Sequence, residues 1–178
     1  MSRYRRALHA GGTFFFTVLA YRRQKIFCDD AIRNALHNAI TSVRLQYPFD
    51  IDAWVLLPDH LHCVWTLPED DANFSTRWML IKRHVSFACR ENYRRANLIS
   101  PSKQKHREST IWQRRFWEHQ IRDDDDFARH VDYLHHNPVK HGYARTVADW
   151  PYSTFHRYVR DGVIAHDWAD SGDLNVPE

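Results

Sequence analysis

Hydrophobic positions along this chain alternate between short continuous runs and stretches of helical period, and the punctuation between them is clear. Residues Thr13 to Leu19, TFFFTVL, are aromatic and β-branched and follow Gly11-Gly12, which predicts a buried strand after a turn. From Asp29 to Tyr47, Ile32, Ala35, Leu36, Ala39, Ile40 and Val43 recur at helical spacing, with Asp29 or Asp30 placed to cap the start. Pro48 stops that helix, and Ile51 to Leu57 forms a second strand that turns at Pro58-Asp59 into a third, about His60 to Leu67, as a hairpin. A second helix is predicted over Asn73 to Arg95, with Phe74, Trp78, Ile81, Val85 and Ala88 on one face. SPSKQKHREST then reads as a flexible loop and IWQRRFWEHQI as a fourth strand. A third helix is predicted from Asp124 to Asn137, where the acid run Asp123 to Asp126 suits the positive end of its dipole and Asn137-Pro138 ends it. This order fits an α+β sandwich of the split βαβ kind, with a central antiparallel sheet and an added C-terminal helix.

Composition narrows the class. With 178 residues and 43% hydrophobic residues the chain can bury one core, so a single domain over residues 1–162 is expected. There is no internal repeat and no low-complexity stretch. No run of about 18 apolar residues exists to span a membrane, and MSRYRR lacks the apolar core of a secretion signal, which points to the cytoplasm. Cys28, Cys63 and Cys89 offer neither a disulfide framework nor a CxxC pair, and read as reduced core or boundary residues.

The net charge of +3 is mild, but between Arg77 and Arg115 eleven Lys or Arg stand against two acids. That basic middle interleaves Arg77, Lys82, Arg83, Arg94, Lys103, Lys105, Arg114 and Arg115 with Trp112, Phe116 and Trp117. Cations with aromatic faces suit single-stranded nucleic acid, although charge runs on helices also occur as plain solvated faces. Arg3, Arg5 and Arg6 form a further basic arm. Residues 163–178 hold only acids among their charged side chains, and a loosely ordered tail is expected there.

The third strand poses a chemical question. Leu61, Cys63, Trp65 and Leu67 share the parity of a helix-covered core face, so His60 and His62 project together from the other face. Two imidazoles at that spacing can chelate one metal ion if other ligands come from elsewhere. On spacing alone the better reading is two partly exposed histidines in a chain that has 13, because an HxH dipeptide is a weak signal. In the third helix Tyr133 and Asn137 stand at i and i+4, so a hydroxyl and an amide point the same way. A tyrosine can act as a nucleophile and an amide oxygen can complete a magnesium or manganese site. Each also has a plain explanation, a boundary aromatic and a helix cap.

The sequence also resembles a known family. PDHLH on an internal strand, IWQRRFWEH, DYLHHNPVKHGY at a helix end and the later ADWPYSTFHRYV are similar, in order and spacing, to the REP-associated tyrosine transposases, relatives of the single-tyrosine HUH insertion-sequence transposases. The resemblance runs from about Tyr4 to Gly162. It implies a ferredoxin-like fold of the HUH endonuclease type with an extra helix carrying the tyrosine. It further implies that His60 and His62 are metal ligands, with Leu61 the bulky residue between them, Tyr133 the nucleophile and Asn137 the third ligand for Mg²⁺ or Mn²⁺. Related insertion-sequence transposases tend to carry Gln at that last position, so Asn137 is a departure with a shorter reach. The implied activity is cleavage and rejoining of single-stranded DNA through a 5′-phosphotyrosine at REP-type hairpins, in a prokaryotic, nucleoid-associated protein.

Other readings remain open at this level. One is a replication or transfer nickase with the same chemistry, and another is a hairpin-DNA-binding protein without turnover. A third is a zinc hydrolase using His60, His62 and one of His119, His130, His135 or His136. The expected state is a monomer, with a dimer as the alternative.

Overall fold

The computed structural model describes residues 10–106 and 108–169. Four strands, β1 (Thr13–Leu19), β2 (Asp50–Leu56), β3 (His60–Thr66) and β4 (Trp117–Gln120), form one sheet in the order β2-β3-β1-β4, antiparallel at every step. Between them run α1 (Asp30–Gln46) and α2 (Phe74–Ala88), the short α3 (Arg90–Tyr93) and α4 (Pro101–Lys105), and then α5 (Asp124–Lys140) and α6 (Phe155–Arg160). The β1-α1-β2-β3-α2-β4 order on this sheet is the split βαβ arrangement expected from the sequence.

The two faces of the sheet are covered differently. Phe14, Phe16 and Val18 of β1 and Leu61, Cys63 and Trp65 of β3 pack beneath α1 and α2, which bury Ile32, Leu36 and Val43 and Phe74, Trp78, Ile81 and Val85. Trp65 stacks on Trp78 with ring centroids 4.2 Å apart. The opposite parity, with Phe15, Ala53, Val55 and Val64, meets Val131 and Leu134 of α5. Strand alternation therefore sends His60 and His62 to the α5 face.

Several elements depart from the sequence reading. The second helix is interrupted at Cys89, whose backbone leaves the helical region, and the following turn ends after Tyr93, where Arg95 N–H donates to Thr110 Oγ1 and the Tyr93 hydroxyl to Asp29. Within SPSKQKHREST lies a helix, α4, whose start is capped by Ser100 with Pro101 in the first turn, a signal present in the sequence. The fourth strand is shorter than expected: Trp112 bridges Ala20, and the chain rejoins the sheet only at Trp117. The third helix passes through Pro138 to Lys140, and Gly142, at φ +70°, provides the left-handed residue that ends it.

Two cations expected to face nucleic acid are interior. Arg77 is fully buried: its guanidinium donates to the carbonyls of Tyr47, Pro48 and Asn73 and pairs with Asp71 at 2.7 Å, tying the end of α1 to the start of α2. Lys103 is buried beside the Tyr21 ring and donates to the carbonyls of Ser109 and Trp112. Counting charges along the chain cannot distinguish such structural cations from solvated ones. Arg3, Arg5 and Arg6 lie outside the described residues. Of the acidic tail, residues 163–169 are described, and Trp168 packs against His135 and Phe155.

Candidate active site

The site grows from the register of the sheet. On β3, His62 stands opposite Thr17 of β1, and its Nδ1 is 2.8 Å from Thr17 Oγ1. His60 Nδ1 is 2.7 Å from Asp59 Oδ1, and Asp59 is held in turn by Arg23 Nε at 3.0 Å. Both imidazoles are therefore gripped at Nδ1, which leaves Nε2 of each as the free donor atom, the arrangement that orients histidine toward a metal. Their ring centroids are 4.9 Å apart. Burial pushes both imidazoles below their ordinary pKa, partly offset at His60 by Asp59, so both are neutral at neutral pH.

Helix α5 crosses this face and brings the other two groups. The Tyr133 ring lies 5.3 Å from that of His62 and 6.1 Å from Phe15. One turn on, Asn137 is fully buried, and neither its Oδ1 nor its Nδ2 has a hydrogen-bond partner. His62 Nε2 is likewise buried and unpartnered. A buried amide without partners costs about 1–3 kcal/mol per group, so these atoms call for something that satisfies them. Imidazole nitrogens with an amide oxygen fit a divalent ion such as Mn²⁺ or Mg²⁺. The structure thus brings His60, His62, Tyr133 and Asn137 onto one face. It does so with Asn137 inside the helix rather than at its end, which fixes the amide against the sheet.

Several participants were not read from the sequence. Lys140 holds its ammonium 5.2 Å from the Tyr133 ring centroid, and the His141 ring lies 5.1 Å from that of His60. Asp59 had a signal, standing just before His60, whereas Thr17 could be found only from the strand register. Three of the histidines considered for a zinc site are engaged with other partners. His119 Nε2 is 2.9 Å from Asp126 Oδ2, and His130 Nδ1 is 2.8 Å from the Asp126 carbonyl. His135 Nε2 is 3.0 Å from Thr154 Oγ1.

The basic residues divide by position. Arg83, Arg94, Lys105, Arg114 and Arg115 are exposed. Arg83 and Arg94 line a cavity of about 1230 Å³ with Trp112 and Phe116, on the α2 side of the sheet, away from Tyr133. Lys82 donates to the carbonyls of Gln113 and Arg114 at the rim of the same cavity. No helix among the described residues is long and apolar enough to cross a membrane.

Comparison with known proteins agrees with this geometry. The family model described as "Transposase IS200 like" matches residues 13–137. A REP-associated tyrosine transposase of Escherichia coli (strain K12) is 46% identical over 180 residues, covering 100% of this chain and 98% of the relative. A solved structure of a REP-associated tyrosine transposase bound to a REP hairpin superposes with a TM-score of 0.81 at 45% identity, covering 100% of this chain and 98% of that one. The chain belongs to the IS200-like transposase family, among its REP-associated tyrosine transposases, enzymes that cleave and rejoin DNA.

Proposed function

We propose that this protein cleaves and rejoins single-stranded DNA beside REP-type hairpins through a covalent bond to Tyr133, at an HUH-type site where His60, His62 and Asn137 hold Mg²⁺ or Mn²⁺. The observation that carries the reading is the set of unpartnered buried atoms, His62 Nε2 and the Asn137 amide, beside the Tyr133 ring. The relative of known structure was solved with a REP hairpin, which supports the same class of substrate here.

A divalent ion bound there would polarise the scissile phosphate and stabilise charge developing on it. His60 and His62 hold their Nε2 atoms toward that position because Asp59 and Thr17 occupy Nδ1. Tyr133 Oη attacks phosphorus, the bond from phosphorus to the 3′-oxygen breaks, and the phosphoryl group remains on Tyr133 as a 5′-phosphotyrosine. The tyrosine proton is released, and the departing oxygen takes one up as a free 3′-hydroxyl. Lys140 places positive charge beside the ring that carries this exchange. Because the tyrosyl phosphoester retains the energy of the broken bond, the 3′-hydroxyl of another strand can displace Tyr133 and join the ends without ATP. All four groups come from one chain, with the Tyr133 ring against His62 and His62 against His60, which supports a site that one protomer can supply.

The test is an incubation of the protein with end-labelled REP hairpin carrying a single-stranded flank, with Mn²⁺, on a denaturing gel. A slow-migrating protein-DNA adduct that disappears in Tyr133→Phe and in the presence of EDTA is expected. Hairpin binding without an adduct, in either metal, would replace this reading with a DNA-binding protein that has no turnover.

A further inference from the structure

One large aromatic ring is left open to solvent beside the site. Trp117 opens β4, at the edge of the sheet, and the residue is 48% exposed. It is the one exposed tryptophan among the described residues. Register places it with care: His62 of β3 is opposite Thr17 of β1, and Thr17 is opposite Trp117. The three residues form one row across the sheet, so Trp117 emerges on the same face as His62 and Tyr133, two strand spacings away, roughly 10 Å.

The ring is also held in place. It lies parallel to His119, at 6.0 Å and 6°, and His119 stacks on His130 at 4.6 Å and 15°. Asp126 anchors both histidines, through its carboxylate to His119 and its carbonyl to His130. Phe15 meets Trp117 edge-on at 5.9 Å and touches His62 and Tyr133 with the same ring. A column of rings therefore leads from the catalytic tyrosine to an exposed indole on an edge strand. Around it stand cations: Arg115 is exposed two residues earlier, and Arg122 and Arg129, on Asp126, keep 67% and 49% of their side chains in solvent.

We propose that Trp117 is the stacking surface for an unpaired base flanking the scissile phosphate, and that the His119–Asp126–His130 cluster exists to hold it. This rests on the reading of Tyr133 as the nucleophile for single-stranded DNA. A rigid exposed indole with phosphate-binding cations beside it suits a single-stranded base, because every base has a face to stack and the indole loses little freedom on binding. A protein partner adding a strand to the β4 edge is the competing occupant.

The test uses the Tyr133→Phe background for binding and the native tyrosine for cleavage, with a REP hairpin whose single-stranded flank carries either natural nucleotides or one abasic site, moved base by base. Trp117→Ala is expected to weaken binding of the natural flank by roughly tenfold to a hundredfold, while Trp117→Phe keeps most of it. At one flank position the abasic site should weaken Trp117 protein by a similar factor and leave Trp117→Ala unaffected, a coupling that a merely structural tryptophan would not show. Equal loss for Trp117→Ala on every substrate, or no loss, overturns the proposal. So does a concentration-dependent dimer in sedimentation that Trp117→Ala abolishes. A wild type that forms no adduct would sink the cleavage reading alone, since the abasic coupling in the binding arm still decides the role of Trp117.

Discussion

Asn137 is a residue kept against its own stability. Its amide is fully buried with neither atom satisfied, in a place where a hydrocarbon of similar volume would pack without that penalty. Asn137→Leu should therefore stabilise the metal-free protein by about 1–3 kcal/mol, measured by urea unfolding in EDTA. Under the proposed metal site, Mn²⁺ should stabilise the wild type and not this variant, which should also form no adduct. If Asn137→Leu instead destabilises the protein in EDTA, the amide has an apo-state partner, and its assignment as a ligand loses its main support. Asp59 and Thr17 act at the neighbouring strand, each engaging one imidazole at Nδ1 so that its Nε2 is left available.

At the level of the element, α5 carries both the proposed nucleophile and the proposed third ligand, and its first turn is more than a favourable dipole. Asp124 and Asp125 are exposed, but Asp126 is buried and accepts from His119, from Arg122 Nε at 3.0 Å and from the Arg122 backbone N–H at 3.1 Å. Burial pushes its carboxyl up, and the hydrogen bonds from Arg122 and His119 more than offset that, leaving it well below the usual carboxylate range. Asp126→Ala should cost about 1–3 kcal/mol, because it leaves the Arg122 backbone N–H and the half-buried His119 without their acceptor, whereas Asp124→Ala should stay within about 1 kcal/mol, both read from urea midpoints. Similar losses for the two would mean that the acid run acts only through the dipole. The contrast also shows what a linear reading can see. β1, α1, β2 and β3 were legible because period and breakers agreed, and the parity of HLHCVW alone put His60 and His62 on a shared face. The pairing of Tyr133 with Asn137 followed from helical spacing. The course of residues 89–116, the passage of α5 through Pro138 and the burial of Arg77 and Lys103 depend on long-range hydrogen bonds such as Arg95 to Thr110, which leave no periodic trace.

Across the whole molecule, the C-terminal segment clamps α5 to the sheet through one histidine, and that clamp makes stability depend on pH. The Thr154 hydroxyl donates to the Trp54 carbonyl at 3.2 Å, so His135 Nε2–H donates to Thr154 and His135 Nδ1 is left buried and unpartnered. Protonation would add a charge and a buried N–H at that nitrogen, near Arg157 and His156. Burial first, and those neighbours second, lower its pKa from 6.5 to about 3. The folded protein thus binds fewer protons at this site than the unfolded chain. Its contribution is complete above about pH 6.5, shrinks as the pH falls below that, and is gone near the folded value. Between pH 7 and pH 5 the loss from this one group is on the order of 2 kcal/mol. His135→Gln, which can still donate to Thr154 but does not titrate, should unfold with a correspondingly flatter pH dependence over that interval, measured by urea titration at each pH. If wild type and His135→Gln lose stability in parallel between pH 7 and 5, His135 gains its proton without disturbing the clamp, and acid sensitivity must come from elsewhere in the fold.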